Sequence, residues 1–218
     1  MPTVSVSGNN RNKQLMSGSE LTLRVGGLTP LTTVDYPGEL AAVIFCQGCP
    51  WRCHYCHNPD LLPRQGEQQI PWDQILAFLQ TRRGLLDAVV FSGGEPTLQR
   101  GLPDAIGQVK AMGFKVGLHS AGPYPERLRE LLPLLDWIGL DIKSLPEDYA
   151  GLTGVRRSGE RAWESAALVI ESGLPHQIRT TLDPALFTEA KQQRLLDRLR
   201  QLGPLKHSFQ VCNPVVSI

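Results

Sequence analysis

Short apolar segments alternate with segments of helical period along most of the chain. The apolar segments have the length of strands and lie at 40–46, 87–92, 114–119, 137–142, 176–182 and 208–211. Between them, apolar residues recur every three to four positions at 72–84, 101–113, 125–135, 160–173 and 188–203. Several of these helical segments end in glycine, which often terminates a helix. The pattern therefore predicts six strands and five helices in alternation.

The alternation also indicates how the sheet is built. Strands that are apolar along their whole length are typical of a parallel sheet covered by helices. Such a sheet is either open and doubly wound or curled like a barrel, and in a barrel the chemistry lies on the loops after the strands. The segments CQGCPWRCHYCHN, GGEPT, HSAG and DIK follow the first four strands in turn. We therefore expect the candidate site residues at one edge of the sheet.

Length and composition limit the fold and the partners. With 218 residues, 41% of them hydrophobic, the chain suits one compact domain. The first twenty residues are polar and lack an apolar period, so we interpret 1–20 as a flexible lead-in and 21–218 as a single domain. A net charge of +1 provides no field that would attract nucleic acid or a membrane surface. The lack of a long apolar run and of a secretory signal predicts a cytoplasmic protein.

Four of the five cysteines lie within residues 46–56, which is too crowded for two unstrained disulfides. Reduced thiolates that hold a metal or a cluster explain the crowding better. Cys49, Cys53 and Cys56 have the spacing C-x3-C-x2-C. Three thiolates can hold three irons of a cubane while the fourth iron stays open to a small chelating ligand. Cys46, in the first strand, and Cys212, near the end of the chain, are interpreted as packed thiols.

A zinc site made by all four clustered cysteines is the alternative to an iron–sulfur cluster. Zinc ribbons and fingers usually separate their two cysteine pairs by about a dozen residues or more, which the spacing here does not match. The zinc alternative predicts a binding module without catalysis. His54 and His57 flank the cysteines, and we expect both to order the loop by hydrogen bonds rather than to bind metal.

A glycine pair and an acidic residue follow the second strand. Gly93 and Gly94 allow a ligand to approach the backbone closely, and Glu95 adds a hydrogen-bond acceptor. An ordinary glycine turn before a helix that begins with proline and threonine would have the same residues. The segment is thus a candidate ligand-binding turn.

Three charged residues lie at the ends of later strands. Asp141 and Lys143 are two positions apart, so their side chains point to the same side of the strand, where they suit a ribose hydroxyl or a carboxylate. A salt bridge at the rim, worth about 0–1 kcal/mol, is the alternative. Arg179 lies in the fifth predicted strand among apolar neighbours, where a buried ion pair is the competing interpretation.

The cysteine triplet, with Tyr55 directly before its last cysteine, resembles the signature of the radical S-adenosylmethionine (SAM) superfamily. The longer segment FCQGCPWRCHYCHNPDLL is similar to the cluster loop of the activating enzymes of glycyl radical enzymes. The resemblance implies an α/β fold, a partial (β/α)6 TIM-like barrel. It also implies a 4Fe–4S cluster with one open iron, which reductively cleaves SAM to methionine and a 5′-deoxyadenosyl radical.

The resemblance extends to the other motifs. SGGEPT is similar to the motif that binds the methionyl ammonium of SAM, which implies that Gly93, Gly94 and Glu95 bind the cofactor. The D-x-K pair and the following YAGLTG are similar to segments of pyruvate formate-lyase activating enzyme, where an arginine like Arg179 helps to hold the SAM carboxylate. That enzyme has an Asp-Thr pair where this chain has His119 and Ser120, and it uses the pair to bind a monovalent cation. The histidine departs from this pattern, so the resemblance does not extend to the cation site.

The chain is most similar in outline to activating proteins of anaerobic ribonucleotide reductase. The short chain, without an inserted ferredoxin domain, and the opening LTTVDYPGELAAVIFCQGC support this resemblance. It implies that the radical removes a hydrogen from a glycine of anaerobic ribonucleoside-triphosphate reductase, with reduced flavodoxin or ferredoxin as electron donor. The alternatives are activation of another glycyl radical enzyme and radical chemistry on a small molecule, as in carboxy-deazaguanine synthase.

Overall fold

The computed structural model describes residues 22–183 and 187–211, and these form a seven-stranded sheet against which helices pack. The strands follow each other in the sheet in chain order: β1 (Val25–Thr32), β2 (Ala41–Cys46), β3 (Ala88–Gly93), β4 (Lys115–Ser120), β5 (Trp137–Asp141), β6 (His176–Leu182) and β7 (His207–Val211). Strands β2 to β7 are parallel to their neighbours, and β1 is antiparallel to β2. All six predicted strands are confirmed.

Strand β1 was not predicted from the sequence. Its residues VGGLTPLT include two glycines and a proline, which weaken the apolar pattern and normally indicate a turn. The strand forms because it lies at the edge of the sheet, where only one side must pair and most side chains remain partly exposed.

The five predicted helices are present: four are shorter than predicted, and the fifth, predicted at 160–173, begins and ends two residues earlier. They are α1 (Trp72–Gln80), α2 (Leu102–Ala111), α3 (Pro125–Leu131), α5 (Ser158–Glu171) and α6 (Glu189–Arg200), joined by a short α4 (Tyr149–Thr153) that was not predicted. Helix α3 ends before Pro133, which lacks the N–H that would continue it. Helix α4 is only five residues long and ends at Gly154, whose φ of 71° is left-handed. None of the helices in the described ranges has the length and apolar character needed to cross a membrane.

The order of the strands distinguishes a curled sheet from a doubly wound one. A doubly wound sheet reverses its strand order, whereas β2 to β7 continue in one direction. Crossover connections between parallel neighbours are right-handed, so they place the helices on the same face. The buried side chains of all six helices indeed join one apolar cluster with the outward residues of the strands. The prediction of a partial TIM-like barrel is confirmed, with β1 added at its edge.

The inner face of the sheet is filled only at the amino ends of its strands. Tyr36, from the connection between β1 and β2, packs on Trp137 with ring centroids 5.3 Å apart. Gly117 and Gly139 leave room for these rings, since a Cβ there would lie 3.0 Å from Tyr36 and 2.8 Å from Trp137. The rings close this end of the sheet, so the open space of the inner face lies at the carboxyl ends.

The long connection after β2 is closed at its base by a buried glutamine. We call residues 47–63 the cysteine loop. The side chain of Gln47, 1% exposed, donates hydrogen bonds from Nε2 to the carbonyl oxygens of Asp60 (2.9 Å) and Pro63 (2.7 Å). Gly26 and Gly66 make this possible, because a Cβ at either position would lie within 2.6 Å of the amide oxygen of Gln47. One side chain thus joins the two ends of the loop.

Two sequence predictions concern residues outside the described ranges. The lead-in at 1–20 and the packed thiol of Cys212 both lie there. The assignment of 21–218 to a single domain stays a prediction.

Replacing Gln47 should loosen the cysteine loop. Gln47→Leu keeps the volume but removes the donor of two partly buried hydrogen bonds, so we expect the free energy of unfolding to fall by about 1–3 kcal/mol. Urea denaturation measures this change. The control is Gln80→Leu at the exposed end of α1, which should change stability by less than about 0.5 kcal/mol. Equal effects of the two substitutions would contradict the role of Gln47.

Candidate active site

A cavity of about 470 Å³ lies at the carboxyl ends of the strands, and the cysteine loop forms one of its walls. The loop contributes the three cysteines of the predicted triplet, together with Tyr55. The strand ends contribute the backbone of Gly93 and Gly94 and the side chains of the three predicted charged residues. The structure thus brings nine of the ten predicted site residues to one cavity, and the exception is Glu95.

Cys49, Cys53 and Cys56 are free and partly buried on the cavity wall, whereas Cys46 is completely buried on the other face of β2. Alternate residues of a strand point to opposite faces, and Cys46 shares its face with Ile44, which packs in the core. A site that uses all four cysteines would require Cys46 to leave the core, which disfavours the zinc alternative. In the described ranges, no three His, Cys, Asp or Glu side chains are close enough to share one metal ion.

Burial favours the protonated form of two of these thiols, Cys49 and Cys53. It raises the pKa of Cys49 to about 12, with the carboxylate of Glu95 adding to the effect. Burial also raises the pKa of Cys53, although the nearby ammonium of Lys143 opposes the shift. A metal or cluster must therefore displace protons when it binds.

Backbone hydrogen bonds hold the cysteine loop at its start and in its middle. The N–H of Cys49 donates to the carbonyl of Leu62 (3.1 Å), and the N–H of Arg52 donates to the carbonyl of Thr153 at the end of α4 (2.9 Å). Trp51 packs edge-on against Tyr149 of the same helix, with ring centroids 5.8 Å apart. The short α4 therefore supports the loop that carries the cysteines.

The glycine turn after β3 packs directly on the cysteine loop. Gly93 has a left-handed φ of 109°, and a Cβ there would lie 2.5 Å from the backbone N of Cys46. A Cβ on Gly94 would lie 2.4 Å from the carbonyl oxygen of Gly48 and 2.7 Å from that of Leu61. Only glycine allows this close approach of two backbones, so the turn and the loop keep a defined separation.

The side chain of Glu95 is buried behind the cavity wall and does not line the cavity. One carboxylate oxygen accepts hydrogen bonds from the N–H (3.1 Å) and hydroxyl (2.6 Å) of Thr97 and from the hydroxyl of Ser120 (2.8 Å). The other oxygen accepts from the N–H of Ala121 (3.0 Å). Burial raises the pKa of Glu95, although these hydrogen bonds oppose the shift. Glu95 therefore joins the ends of β3 and β4, whereas the resemblance implied a contact with the cofactor.

Asp141 and Arg179 are register partners in β5 and β6, and they form an ion pair at the cavity. The Nε of Arg179 donates to Oδ1 of Asp141 at 2.9 Å, and the ammonium of Lys143 lies 4.0 Å from Oδ2. Burial alone would raise the pKa of Asp141, but the two cations outweigh it and hold this pKa below its usual value. Arg179 thus takes part in a partly buried ion pair and also faces the cavity.

Lys143 connects the ion pair to the cysteine loop. Its ammonium lies over the ring of Tyr55, 5.6 Å from the centroid. Burial disfavours the charged form, but neighbouring negative groups, including Asp141, prevail and raise the pKa of Lys143. Two cations and one carboxylate therefore give this side of the cavity a positive charge.

His119 also lines the cavity, and it is electrically neutral. Its Nε2 lies 2.9 Å from the carbonyl oxygen of Asp35, so Nε2–H donates and Nδ1 is left to accept from the hydroxyl of Ser92 at 3.5 Å. Burial, assisted by the charge of Arg179, lowers the pKa of His119 to about 4. The imidazole therefore adds no charge beside Arg179 at neutral pH.

The sequence analysis did not identify Ser92 or Thr181 as cavity residues. Both lie at the carboxyl end of a strand and point to the inner face. Thr181 is two positions after Arg179, so the alternation of a strand could have indicated it. Ser92 immediately precedes the glycine pair and offered a similar signal.

Comparison with known proteins agrees with this fold and cavity. A model of the Radical SAM superfamily matches residues 43–202, more than half of the chain. A glycyl-radical enzyme activating enzyme of Methanocaldococcus jannaschii is 31% identical over 175 residues, which cover 76% of this chain and 70% of the relative. The pyruvate formate-lyase-activating enzyme of Clostridium pasteurianum is 32% identical over 176 residues, which cover 78% of this chain and 72% of the relative.

Among solved structures, SuiB of Streptococcus suis bound to S-adenosylmethionine superposes with a TM-score of 0.64 at 18% sequence identity. The superposition covers 78% of this chain and 40% of SuiB, so the likeness is one of fold over part of a longer protein. The sequence matches extend over the cysteine loop and the strands that form the cavity. On this evidence, the chain belongs to the radical SAM superfamily, in the group of activating enzymes of glycyl radical enzymes.

Proposed function

We propose that Cys49, Cys53 and Cys56 hold the 4Fe–4S cluster of this family and that SAM binds beside it in the cavity. The observation that carries this proposal is that the three thiols and the Asp141–Arg179 pair line one cavity. An enzyme that joins a cluster to SAM requires this juxtaposition.

The donor set fits a cluster of this kind. Cysteine thiolate is the usual ligand of iron–sulfur clusters, and each of three cysteines binds a different iron, so the sulfurs need not meet at one point. When bound, the cluster supplies the electron that cleaves SAM to methionine and a 5′-deoxyadenosyl radical. The positive charge of Lys143 near Cys53 favours the thiolate form that binding requires.

The charged residues suit the methionyl part and the ribose of SAM. Arg179 uses Nε for Asp141, and its Nη1 lies 3.4 Å from Nε2 of His119, which leaves Nη2 to bind the SAM carboxylate, with Lys143 as a second cation. The Oδ2 atom of Asp141 can accept a hydrogen bond from a ribose hydroxyl. The neutral imidazole of His119 does not repel Arg179, so the guanidinium remains beside the cavity.

The glycine turn suits the methionyl ammonium. Gly93 and Gly94 present backbone to the cavity, and carbonyl oxygens are acceptors for an ammonium group. Glu95 would act indirectly, because its carboxylate joins the turn to β4 instead of facing the ligand. We therefore assign Glu95 a positioning role.

The radical would then be passed to a partner protein. A 5′-deoxyadenosyl radical that takes a hydrogen from the α-carbon of glycine leaves 5′-deoxyadenosine and a glycyl radical, so atoms and electrons balance. We assign the glycine to anaerobic ribonucleoside-triphosphate reductase. The resemblance of the segment LTTVDYPGELAAVIFCQGC to activating proteins of that reductase supports this assignment.

Pyruvate formate-lyase is the second candidate partner. It is favoured by the relatives at about 30% identity, several of which are named pyruvate formate-lyase-activating enzymes.

A direct comparison decides between the two candidate partners. Each purified glycyl radical enzyme is incubated anaerobically with the reconstituted protein, SAM and dithionite, and the glycyl radical is measured by electron paramagnetic resonance. A radical on the reductase alone supports our assignment; a radical on pyruvate formate-lyase alone overturns it, and SAM cleavage with a radical on neither favours a small-molecule substrate.

The electron donor is proposed to be reduced flavodoxin or ferredoxin. The test replaces dithionite by each reduced protein in turn and measures methionine formation. Cleavage with neither donor, while dithionite still supports it, would contradict this part of the proposal.

Removal of one cluster cysteine should abolish the chemistry, whereas removal of the core cysteine should not. Cys53→Ala leaves two cluster ligands, so 5′-deoxyadenosine and methionine should not form after anaerobic reconstitution. Cys46→Ala removes a thiol that faces the core, so cleavage should persist. Product chromatography and iron content measure both variants. Zinc instead of iron in the unsubstituted protein, lost in both variants, would indicate the four-cysteine zinc module.

A methyl group on the glycine turn should disturb SAM binding. Gly94→Ala places a Cβ against two carbonyl oxygens of the cysteine loop, so turn and loop must separate. Because catalysis depends on accurate placement of the reacting groups, we expect SAM cleavage to fall about tenfold or more. Gly107→Ala is the control, since nothing lies within 4 Å of its Cβ in α2. It should keep the rate and raise stability by up to about 1 kcal/mol.

His119 should make the protein less stable in acid. Its pKa is about 4 in the folded protein and near 6.5 when unfolded, so on acidification the unfolded chain takes up a proton first. We expect about 3 kcal/mol of stability to be lost as the pH falls from 6.5 to about 4. Urea denaturation across this range measures the loss. His119→Gln should flatten this part of the profile, and an unchanged slope would contradict the assignment.

A further inference from the structure

A hydrogen bond crosses from the tip of the cysteine loop to the residue that follows β6. The Nε2 atom of His54 lies 2.8 Å from Oδ2 of Asp183, although the two residues are 129 positions apart in the chain. A carboxylate only accepts hydrogen bonds, so Nε2 carries the proton. The contact therefore exists with a neutral or a charged imidazole.

The position of His54 allows this contact to affect residues that line the cavity. His54 lies between Cys53 and Tyr55, and its ring stands edge-on to that of Tyr55, with centroids 5.0 Å apart. The same Tyr55 ring lies under the ammonium of Lys143. A displacement of His54 would therefore be transmitted to a cluster cysteine and to a residue assigned to SAM.

Asp183, the other partner of this hydrogen bond, lies next to cavity residues of β6. It follows β6 directly, four residues after Arg179 and two after Thr181, both of which line the cavity. Its side chain is only 18% exposed, compared with 51% for His54. The loop thus meets an acceptor that is held close to the end of the strand.

Two other contacts hold the loop at places away from β6. Gln47 closes the base of the loop, and Arg52 binds α4 through its backbone N–H. Neither contact fixes the tip relative to β6. The hydrogen bond of His54 with Asp183 joins the tip directly to the end of β6, which carries Arg179.

We propose that His54 and Asp183 act as positioning residues, forming a clasp that sets the distance between the cysteine loop and β6 and thereby the affinity for SAM. The inference rests on the proposed SAM site. It assigns no chemistry to either residue. Their effect is exerted through Tyr55, Lys143 and Arg179.

The test separates binding from chemistry. In His54→Ala and Asp183→Ala we expect the KM for SAM to rise about three- to fivefold while kcat stays within twofold, as suits a single hydrogen-bonded pair near the surface. The double variant should be no worse than either single variant, because both remove the same contact. His54→Gln retains an N–H donor and should restore most of the affinity.

A second measurement does not require a loaded enzyme. The N–H groups of Arg52 and Cys56 are hydrogen-bonded within the loop region, to Thr153 and Cys53. In the metal-free protein, loss of the clasp should accelerate hydrogen exchange at these two amides. This measurement remains valid even if the protein fails to cleave SAM, so failure of the clasp and failure of the proposed function are distinguishable.

A matched pair at the other end of the sheet provides the control. Lys115 and Glu39 form an ion pair whose side chains are 53% and 19% exposed, almost as in the clasp, but Lys115 begins β4 at the end away from the cavity. Lys115→Ala should change neither the KM for SAM nor exchange in the loop. The clasp is overturned if His54→Ala leaves exchange of both amides unchanged. It is also overturned if Asp183→Ala alone raises KM, since Asp183 would then act on SAM directly.

Discussion

The parallel pairing of β2 to β6 is the constraint on which the site depends. Parallel neighbours end at the same edge, so the loops after them converge even though they are far apart in the chain. The register is equally important, because it sets Cys46 beside Gly93 and Asp141 beside Arg179. The cysteine loop, the glycine turn and the ion pair are consequences of these pairings.

Glycine and aromatic residues divide the inner face into a closed end and an open end. The rings of Tyr36 and Trp137 fill the amino end, where Gly117 and Gly139 leave room for them. Towards the carboxyl ends the inward side chains become polar, ending in residues such as Arg179. The result is a cavity with a packed floor that opens at the carboxyl ends of the strands.

The charges of the residues in the cavity are set by burial and by neighbouring charged groups. Asp141 remains ionised because two cations outweigh its desolvation, and His119 remains neutral because it is buried beside a cation. Glu95 is a carboxylate in the same region that has become part of the scaffold, with four donors around it. Similar side chains thus have different roles, depending on which way each one points.

The sequence alone determined the six parallel strands, the edge that carries the site and the cysteine triplet, because apolar periodicity and motif spacing are local properties. It did not reveal β1, whose glycines and proline obscure a strand that only an exposed sheet edge permits. The separation of Cys46 from the other cysteines, the inward turn of Glu95, the neutrality of His119 and the contact of His54 with Asp183 were decided by the tertiary structure. Each of these depends on neighbours that are distant in sequence, and a side chain's direction, burial and partners exist only after the sheet has curled.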